Sequence, residues 1–172
     1  MIQPKNLRIG TVLLLFFIST MIFAQKYGHI NTAELLSLMP EKAAAEQKLK
    51  NKAENLDKTL NELQTEYQTT ASSYLKAVQN GTLSETEKSS QEKQIQDLET
   101  RIRAFNQNAT KELDAMRNEL LTPIITKART AINQVADQNG YTYVFDLSAG
   151  SIIYVSPNSD NLLPLVKSNL GL

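Results

Sequence analysis

Apolar residues recur every three or four positions through residues 41–138, a stretch that contains a single glycine and a single internal proline. This period is that of an amphipathic helix. The stretch is divided at Asn80-Gly81, because glycine adopts the left-handed conformation that ends a helix at little cost. Ser84 and Glu87 then have the spacing of a capping box, which starts a second helix. The pattern therefore predicts two long helices that fold back on each other, with the arm tip at Gly81.

Within each predicted helix the apolar positions alternate in steps of three and four, as in the seam of a coiled coil. A helix of about 38 residues would be roughly 57 Å long. No compact small domain needs that length, so residues 41–120 are predicted to project as an arm. Pro123 lies beyond them inside the second helix, where its ring clashes with the preceding turn, and it is predicted to act as a hinge. The predicted seam consists of Leu49, Leu56, Leu60, Leu63, Tyr67, Ile95, Leu98, Ile102 and Phe105.

Tyr67 and Tyr74 in the upper arm allow two interpretations. Their spacing of seven continues the seam, which favours side chains that pack across the hairpin. The alternative is that the two rings contact bound chains. Above Leu63 the helix carries several Thr and Ser residues of poorer helix propensity, so the tip is predicted to be the mobile end of the arm.

The residues before the arm are predicted to form a strand and a short helix. Residues 26–31 alternate in the manner of a strand. Thr32 is predicted to cap a helix over residues 33–38. Pro40 ends this helix, because the residue before a proline avoids the helical region.

Beyond the second long helix the period changes to that of strands. Residues 141–147 are dense in β-branched and aromatic residues, residues 148–150 suit a short turn, and residues 151–156 suit a second strand. A β-hairpin is therefore predicted. Asp160 is predicted to cap a last helix over residues 161–170.

The flanks of the arm, residues 25–40 and 121–172, are predicted to form a small β-rich body. The predicted strands and short helices of this body total roughly 45 residues, which bury too little surface to stand well alone, and three short strands leave edges open to pairing. Both problems disappear if several chains merge their strands into a shared barrel. The predicted fold class is therefore α+β, with a long antiparallel helical hairpin projecting from this body. The residues assigned to the oligomerisation body are Ile30, Val144, Phe145, Ile152, Ile153 and Tyr154.

Residues 1–24 have the pattern of a cleavable signal peptide. Lys5 and Arg8 precede an apolar run, residues 11–23, which Ala24 ends with a small residue. The alternative, a membrane anchor, is disfavoured because a span needs about 20 apolar residues. The chain has no cysteine, so export fits a Gram-negative bacterial envelope better than a secretory route that relies on disulfides.

The mature chain is close to neutral. The full chain has 18 basic residues, of which two lie in the leader, so the mature chain has 16 basic against 18 acidic residues. A nucleic-acid binder usually shows a strongly basic balance or face, so no nucleic-acid partner is expected.

No constellation of catalytic residues stands out. His29 is the single histidine, and it is interpreted as a half-exposed strand residue because alone it forms neither a zinc site nor a Cys–His pair. Asp146, with Asp137 nearby in sequence, would suit acid–base chemistry, but nothing supplies a nucleophile, a metal or an oxyanion donor. We therefore expect no enzyme activity, no cofactor and no metal site.

The helical hairpin is flanked by two distinctive sequences: Tyr27-Gly-His-Ile-Asn-Thr-Ala-Glu-Leu-Leu before it and Ala136-Asp-Gln-Asn-Gly-Tyr-Thr-Tyr-Val-Phe-Asp-Leu-Ser-Ala-Gly-Ser-Ile-Ile-Tyr-Val after it. With these flanks in this order, the chain resembles the Skp/OmpH family of periplasmic chaperones. The arm resembles the arm of this family only in being a coiled coil, so it does not distinguish this family from other coiled-coil proteins.

The resemblance implies a homotrimer with a shared β-barrel body and three helical arms that enclose a cavity. Family members hold unfolded outer-membrane proteins there, without ATP, and prevent their aggregation in the periplasm. The expected partners are therefore unfolded outer-membrane proteins and further copies of the chain, and peripheral contact with the membrane is left open. The best-known members are strongly basic and this chain is not, so its client binding is predicted to depend only weakly on salt. The alternative function is that of a structural or adaptor coiled-coil protein of the envelope.

Overall fold

The computed structural model of the chain describes residues 25–172, and the predicted signal peptide lies outside them. The described chain is mostly helical, with two long helices and a small sheet. In chain order the elements are β1 (Tyr27–Ile30), α1 (Thr32–Leu38), α2 (Pro40–Gln79), α3 (Glu85–Gln138), β2 (Tyr143–Asp146), a 3-10 helix (Leu147–Ala149), β3 (Asp160–Asn161) and α4 (Leu163–Leu170).

The two long helices begin and end at local sequence signals. Pro40 occupies the first turn of α2, where its missing N–H costs no helical hydrogen bond. The capping box before α3 is confirmed: the Glu87 N–H donates to Ser84 Oγ at 3.4 Å, and the Ser84 N–H donates to Glu87 Oε2 at 2.8 Å. Gly81 in the intervening turn has a φ of +66°, a conformation that other residues rarely adopt.

The predicted caps of the two short helices are wrong. Asn31 caps α1 with its side chain, and Thr32 instead donates a hydrogen bond to Asp146. The last helix begins at Leu163, and Asp160 lies in β3. In both places several neighbouring polar residues suit a cap, and the contacts that each makes across the fold decide which one serves.

A ladder of polar contacts joins α2 and α3 side by side. Each contact lies at the surface and adds little stability, but together they define one antiparallel register. From this register we infer that Leu63 lies level with Ile102, and Leu60 with Phe105. From base to tip the contacts are Glu41–Lys127, Lys52–Glu112 (2.6 Å), Glu66–Arg101 (3.8 Å), Tyr67–Glu99 (3.0 Å) and Tyr74–Glu92.

The sheet has the strand order β2-β1-β3, and both neighbours of β1 run parallel to it. His29 in β1 pairs with Phe145 in β2 and with Asn161 in β3. The predicted β-hairpin of residues 141–147 and 151–156 is therefore wrong, because the strands of a hairpin are antiparallel neighbours.

The chain leaves the sheet after β2 through the 3-10 helix, and residues 151–156 form no strand. The Ser148 N–H donates to Asp146 Oδ1 at 2.9 Å, and this bond caps the 3-10 helix. The predicted hairpin would need a tight turn at the same residues. The chain then crosses to the far side of β1 and forms β3. Strand propensity indicates that a segment suits a sheet and does not indicate which strand it pairs with.

One hydrophobic core lies between the inner face of the sheet, α1, α4 and the body end of α3. Ala45 from the start of α2 belongs to it and Leu120 packs against it, so the base of the helical hairpin is built into the body. The buried members are Ile30, Leu35, Met39, Ala45, Ile124, Ala128, Ala131, Val135, Leu162, Leu163 and Val166.

Gly28 allows the central strand to approach this core. A Cβ at this position would lie 2.3 Å from Leu162 Cδ1 and 3.1 Å from ring atoms of Tyr141. The sequence predicts only an ordinary strand position here, because both neighbours are more than one hundred residues away along the chain.

Candidate functional site

The outer face of the sheet carries three exposed aromatic rings, which we call the outer aromatic face. The Tyr27 and Tyr143 rings stack with centroids 6.0 Å apart, and the Phe145 ring lies 6.2 Å from Tyr27 and 6.4 Å from Tyr143. The three residues are 47%, 57% and 44% exposed. Gly28 and Ile30 on the same sheet face the core, as the alternation of strand side chains requires. A contiguous patch of exposed aromatic side chains often marks a site of contact with another molecule, so this face is a candidate interface.

Residues 151–156 run beside the outer aromatic face and expose apolar side chains. Ile153 is fully exposed and Tyr154 is 77% exposed. The segment has a strand-like composition and no strand partner within the described chain, which suits pairing with another chain. Together with the outer aromatic face it surrounds a small cavity of about 140 Å³, whose lining includes Tyr27, His29, Phe145, Ile152 and Tyr154.

Both outer strands of the sheet have one open edge within residues 25–172, because each pairs only with β1. β2 is four residues long and β3 only two, so β2 offers the longer row of free N–H and C=O groups. An open edge beside a strand-like segment lets copies of a chain extend one sheet into another.

The six residues assigned to the oligomerisation body divide between two surfaces. Ile30 is 1% exposed in the core of its own chain, and Val144 packs against that core. Tyr27 and Tyr143 were not assigned, although the alternation of side chains in β2 places Tyr143 on the same face as Phe145. The remaining four lie on the outer side: Phe145, Ile152, Ile153 and Tyr154.

Asp146 at the end of β2 ties the outer segment to α1. Its Oδ1 accepts from the N–H groups of Thr32 at 3.2 Å and Ser148 at 2.9 Å, and its Oδ2 accepts from their hydroxyls at 2.6 and 2.8 Å. Partial burial raises the pKa of Asp146, but the hydrogen bonds from Thr32 and Ser148 outweigh it and hold the pKa below its usual value. The carboxylate therefore anchors two helix starts, and the acid–base interpretation has no support here.

Both tyrosines of the upper arm bond across the hairpin. The Tyr67 hydroxyl donates to Glu99 Oε1 at 3.0 Å, and the Tyr74 hydroxyl donates to Glu92 Oε1. The hydrogen bond to each glutamate, more than any other influence, raises the pKa of each tyrosine. These contacts support the interpretation of both tyrosines as seam residues.

The nine residues assigned to the seam lie on α2 and α3, and all of them are at least partly buried. Leu98 is 1% exposed and the other eight are half-buried. The exposed large apolar side chains of residues 41–120 are Leu75 and Val78, both close to the tip. The outer surface of the arm is therefore polar and carries no continuous apolar stripe.

The residue assigned to the hinge lies inside α3, which runs on to Gln138 without interruption. Pro123 is exposed and lines an open cavity of about 380 Å³ between α2 and α3, beside Ala44 and Ala45. Glu41 and Lys127 form an ion pair at this level, and the hydrogen bond from Lys127 lowers the pKa of Glu41. Gly81, assigned to the arm tip, is exposed at the far end, with nothing within 4 Å of the position a Cβ would occupy.

Residues 25–172 contain no cluster of His, Cys, Asp and Glu that would hold a metal ion. Asp137, the second carboxylate considered for catalysis, is exposed on α3. In the same part of the chain no helix combines the length and the apolar character needed to cross a membrane.

Comparison with known proteins identifies the family. The family model for outer membrane proteins of the OmpH-like type matches residues 26–170. A proposed outer membrane chaperone (OmpH-like) from Caulobacter crescentus CB15 has a similar crystal structure, with a TM-score of 0.70, 16% identity, and coverage of 86% of this chain and 84% of that chain. No curated protein matches the sequence. The resemblance seen in the flanking sequences is thus confirmed, and the chain belongs to the OmpH-like family of outer membrane proteins.

Proposed function

We propose that this protein is an ATP-independent holdase chaperone of the periplasm, which encloses unfolded outer-membrane proteins between helical arms and prevents their aggregation. Family membership over residues 26–170 carries the proposal. The structural relative from Caulobacter crescentus is itself a proposed outer membrane chaperone. The leader, residues 1–24, supplies the proposed route of export.

The outer aromatic face supports a trimeric body. The three exposed rings lie on the outer face of the sheet, and Tyr154 lines the cavity beside that face. Ile153, its neighbour in sequence, is fully exposed, and β2 has an open edge. If residues 151–156 of one copy pair with the β2 edge of the next, each contact is head-to-tail. Such contacts close into a ring when the rotation between copies allows it. Closure buries the aromatic rings and pairs the open edge of each β2 strand.

The arms supply the enclosed space. α2 has 40 residues, which corresponds to a length of about 60 Å. Three such arms rising from one body enclose a cavity whose walls are polar, because the apolar seam is used inside each hairpin. An unfolded barrel protein exposes strand edges, and its enclosure blocks pairing between clients. Many weak contacts with a flexible wall permit broad specificity and release without a fuel.

Suppression of aggregation tests the function directly. A urea-unfolded outer-membrane barrel protein is diluted with and without the full mature chain, at one trimer per client, and light scattering is followed. We expect scattering to fall strongly, and the effect to change little between low and high salt, because the mature chain is nearly neutral. Unchanged scattering at several-fold excess would refute the holdase function. If the chain does not suppress aggregation but binds one folded envelope protein tightly, the adaptor alternative is supported.

The oligomeric body has its own test. Ile153→Lys places a charge on the proposed interface, and Ile125→Lys is the matched control, because Ile125 is 44% exposed on α3, away from this face. Sedimentation velocity should show trimers for the control and monomers for Ile153→Lys, with helix content unchanged. Trimers in both variants would contradict the assignment of residues 151–156 to the interface.

A further inference from the structure

His29 is the only histidine of the chain and lies on the outer side of the central strand. It pairs with Phe145 in β2 and lines the small cavity beside the outer aromatic face. Its Nδ1 lies 3.2 Å from Ser159 Oγ. The ring is half-buried in a single chain, so a copy that covers the outer aromatic face covers His29 as well.

The surroundings of His29 offer the ring no free carboxylate within the described residues. Asp146 at the end of β2 is occupied by Thr32 and Ser148. Asp160 in β3 accepts from the Tyr141 hydroxyl and forms an ion pair with Lys26 at 3.7 Å. The other titratable or polar side chains on this side of the sheet and along its cavity are Tyr27, Tyr143, Tyr154, Ser156 and Ser159.

We propose that His29 is a pH switch for assembly: the neutral imidazole lets copies of the chain close over the outer aromatic face, and the protonated imidazole opposes closure. This inference rests on the proposed trimeric body. Burial in an apolar interface without a carboxylate disfavours the charged ring. If the outer aromatic faces point toward the axis of the proposed ring, the His29 side chains also approach one another, and their like charges repel. Aromatic faces attract cations, but this attraction offsets only part of the cost of removing a charge from water.

The direction of the effect follows from the charge of the ring. Histidine changes charge between about pH 5 and pH 8. Assembly is therefore expected to be strongest at pH 8 and to weaken as the pH falls toward 5. If assembly disfavours the protonated ring tenfold in each copy, the dissociation constant of a trimer rises about 1,000-fold once the free chain is protonated.

The experiment measures the oligomeric state of the full mature chain by sedimentation velocity from pH 8 to pH 5, at several protein concentrations. His29→Gln keeps a neutral polar side chain at every pH and should form trimers throughout. His29→Lys carries a charge at every pH and should dissociate even at pH 8. Ser159→Ala is the matched control, because it removes the contact to Nδ1 but keeps the imidazole, so its trimers should still dissociate on acidification. Far-UV circular dichroism at each pH checks that the helices persist.

The outcomes separate this inference from the proposed body. A wild-type monomer at pH 8 would refute the trimer itself. A wild-type trimer that persists to pH 5, or one that dissociates on acidification equally in His29→Gln, would refute the switch alone. Proton NMR gives a second measure, since the chain's single imidazole yields a single titrating Hε1 resonance. The midpoint of this titration should be more acidic at protein concentrations above the dissociation constant of the trimer than at concentrations below it. Equal midpoints at the two concentrations would also overturn the switch.

Discussion

Gly28→Ala is the most direct test of how the body is packed. The new methyl group would lie 2.3 Å from Leu162 Cδ1, well inside contact distance. Leu162 is 0% exposed, so its side chain cannot move aside without displacing the core around it. Gly28 is not among the glycines with positive φ, so alanine fits the backbone conformation and the effect is steric.

Two opposing effects set the magnitude of this change. One extra carbon in a well-packed core costs about 1–3 kcal/mol. Replacing glycine by alanine at a compatible backbone position stabilises by about 0.4–1 kcal/mol, because the unfolded chain loses freedom. The steric cost is larger here, since the ring of Tyr141 also lies within 3.1 Å of the new atom. We therefore expect Gly28→Ala to lower the free energy of unfolding by about 1–2 kcal/mol.

Urea denaturation at one fixed protein concentration measures this free energy, because assembly makes stability depend on concentration. With a slope near 2 kcal/mol per molar urea, the midpoint should fall by about 0.5–1 M. Leu162→Val provides space for the methyl group, so the double variant should be more stable than the sum of the two single changes predicts. A Gly28→Ala protein as stable as wild type, or additive effects in the double variant, would refute the close approach of β1 to Leu162.

Three further changes probe the joint, the arm and the tip. Asp146→Asn should cost about 1–2 kcal/mol at pH 7, allowing for solvent screening. The lowered pKa of Asp146 means that its contribution is complete above the unfolded pKa and lost as the pH falls through the folded one. The stabilities of wild type and variant should therefore begin to converge below about pH 4, and a constant gap would contradict this. Leu60→Asp should separate the two helices of the arm, as measured by small-angle scattering, yet leave the trimer intact. Loss of the trimer would mean that the division between arm and body is wrong. Ser84→Ala should speed hydrogen exchange at the start of α3 without lowering the midpoint of global unfolding, and unchanged exchange would contradict the capping role.

The helical hairpin could be predicted because its determinants are close together in sequence. Heptad spacing, the turn at Gly81 and the capping box of Ser84 and Glu87 each act within a few residues. The order of elements around the hairpin was enough to reveal the family, which the match over residues 26–170 confirms.

The arrangement of the body could not be predicted in the same way. Residues 151–156 have the composition of a strand, but strand pairing depends on which edges the rest of the fold leaves open. β3 lies beside β1 after the chain has crossed the sheet, and the predicted hairpin is absent. Asn31 and Thr32 are both suitable caps for α1, and the contact of Thr32 with Asp146 across the fold leaves Asn31 as the cap.

The sequence alone therefore determined the long antiparallel hairpin and the family, because helices and turns depend on neighbours a few positions apart. Only the tertiary structure decided which face of the sheet stays exposed. That face depends on Tyr27 and Tyr143, more than one hundred residues apart, stacking in a parallel register. It also depends on Gly28, because no side chain fits between β1 and Leu162. Contacts at such separation are set by the packing of the whole chain, and the proposed assembly and its pH switch are built on them.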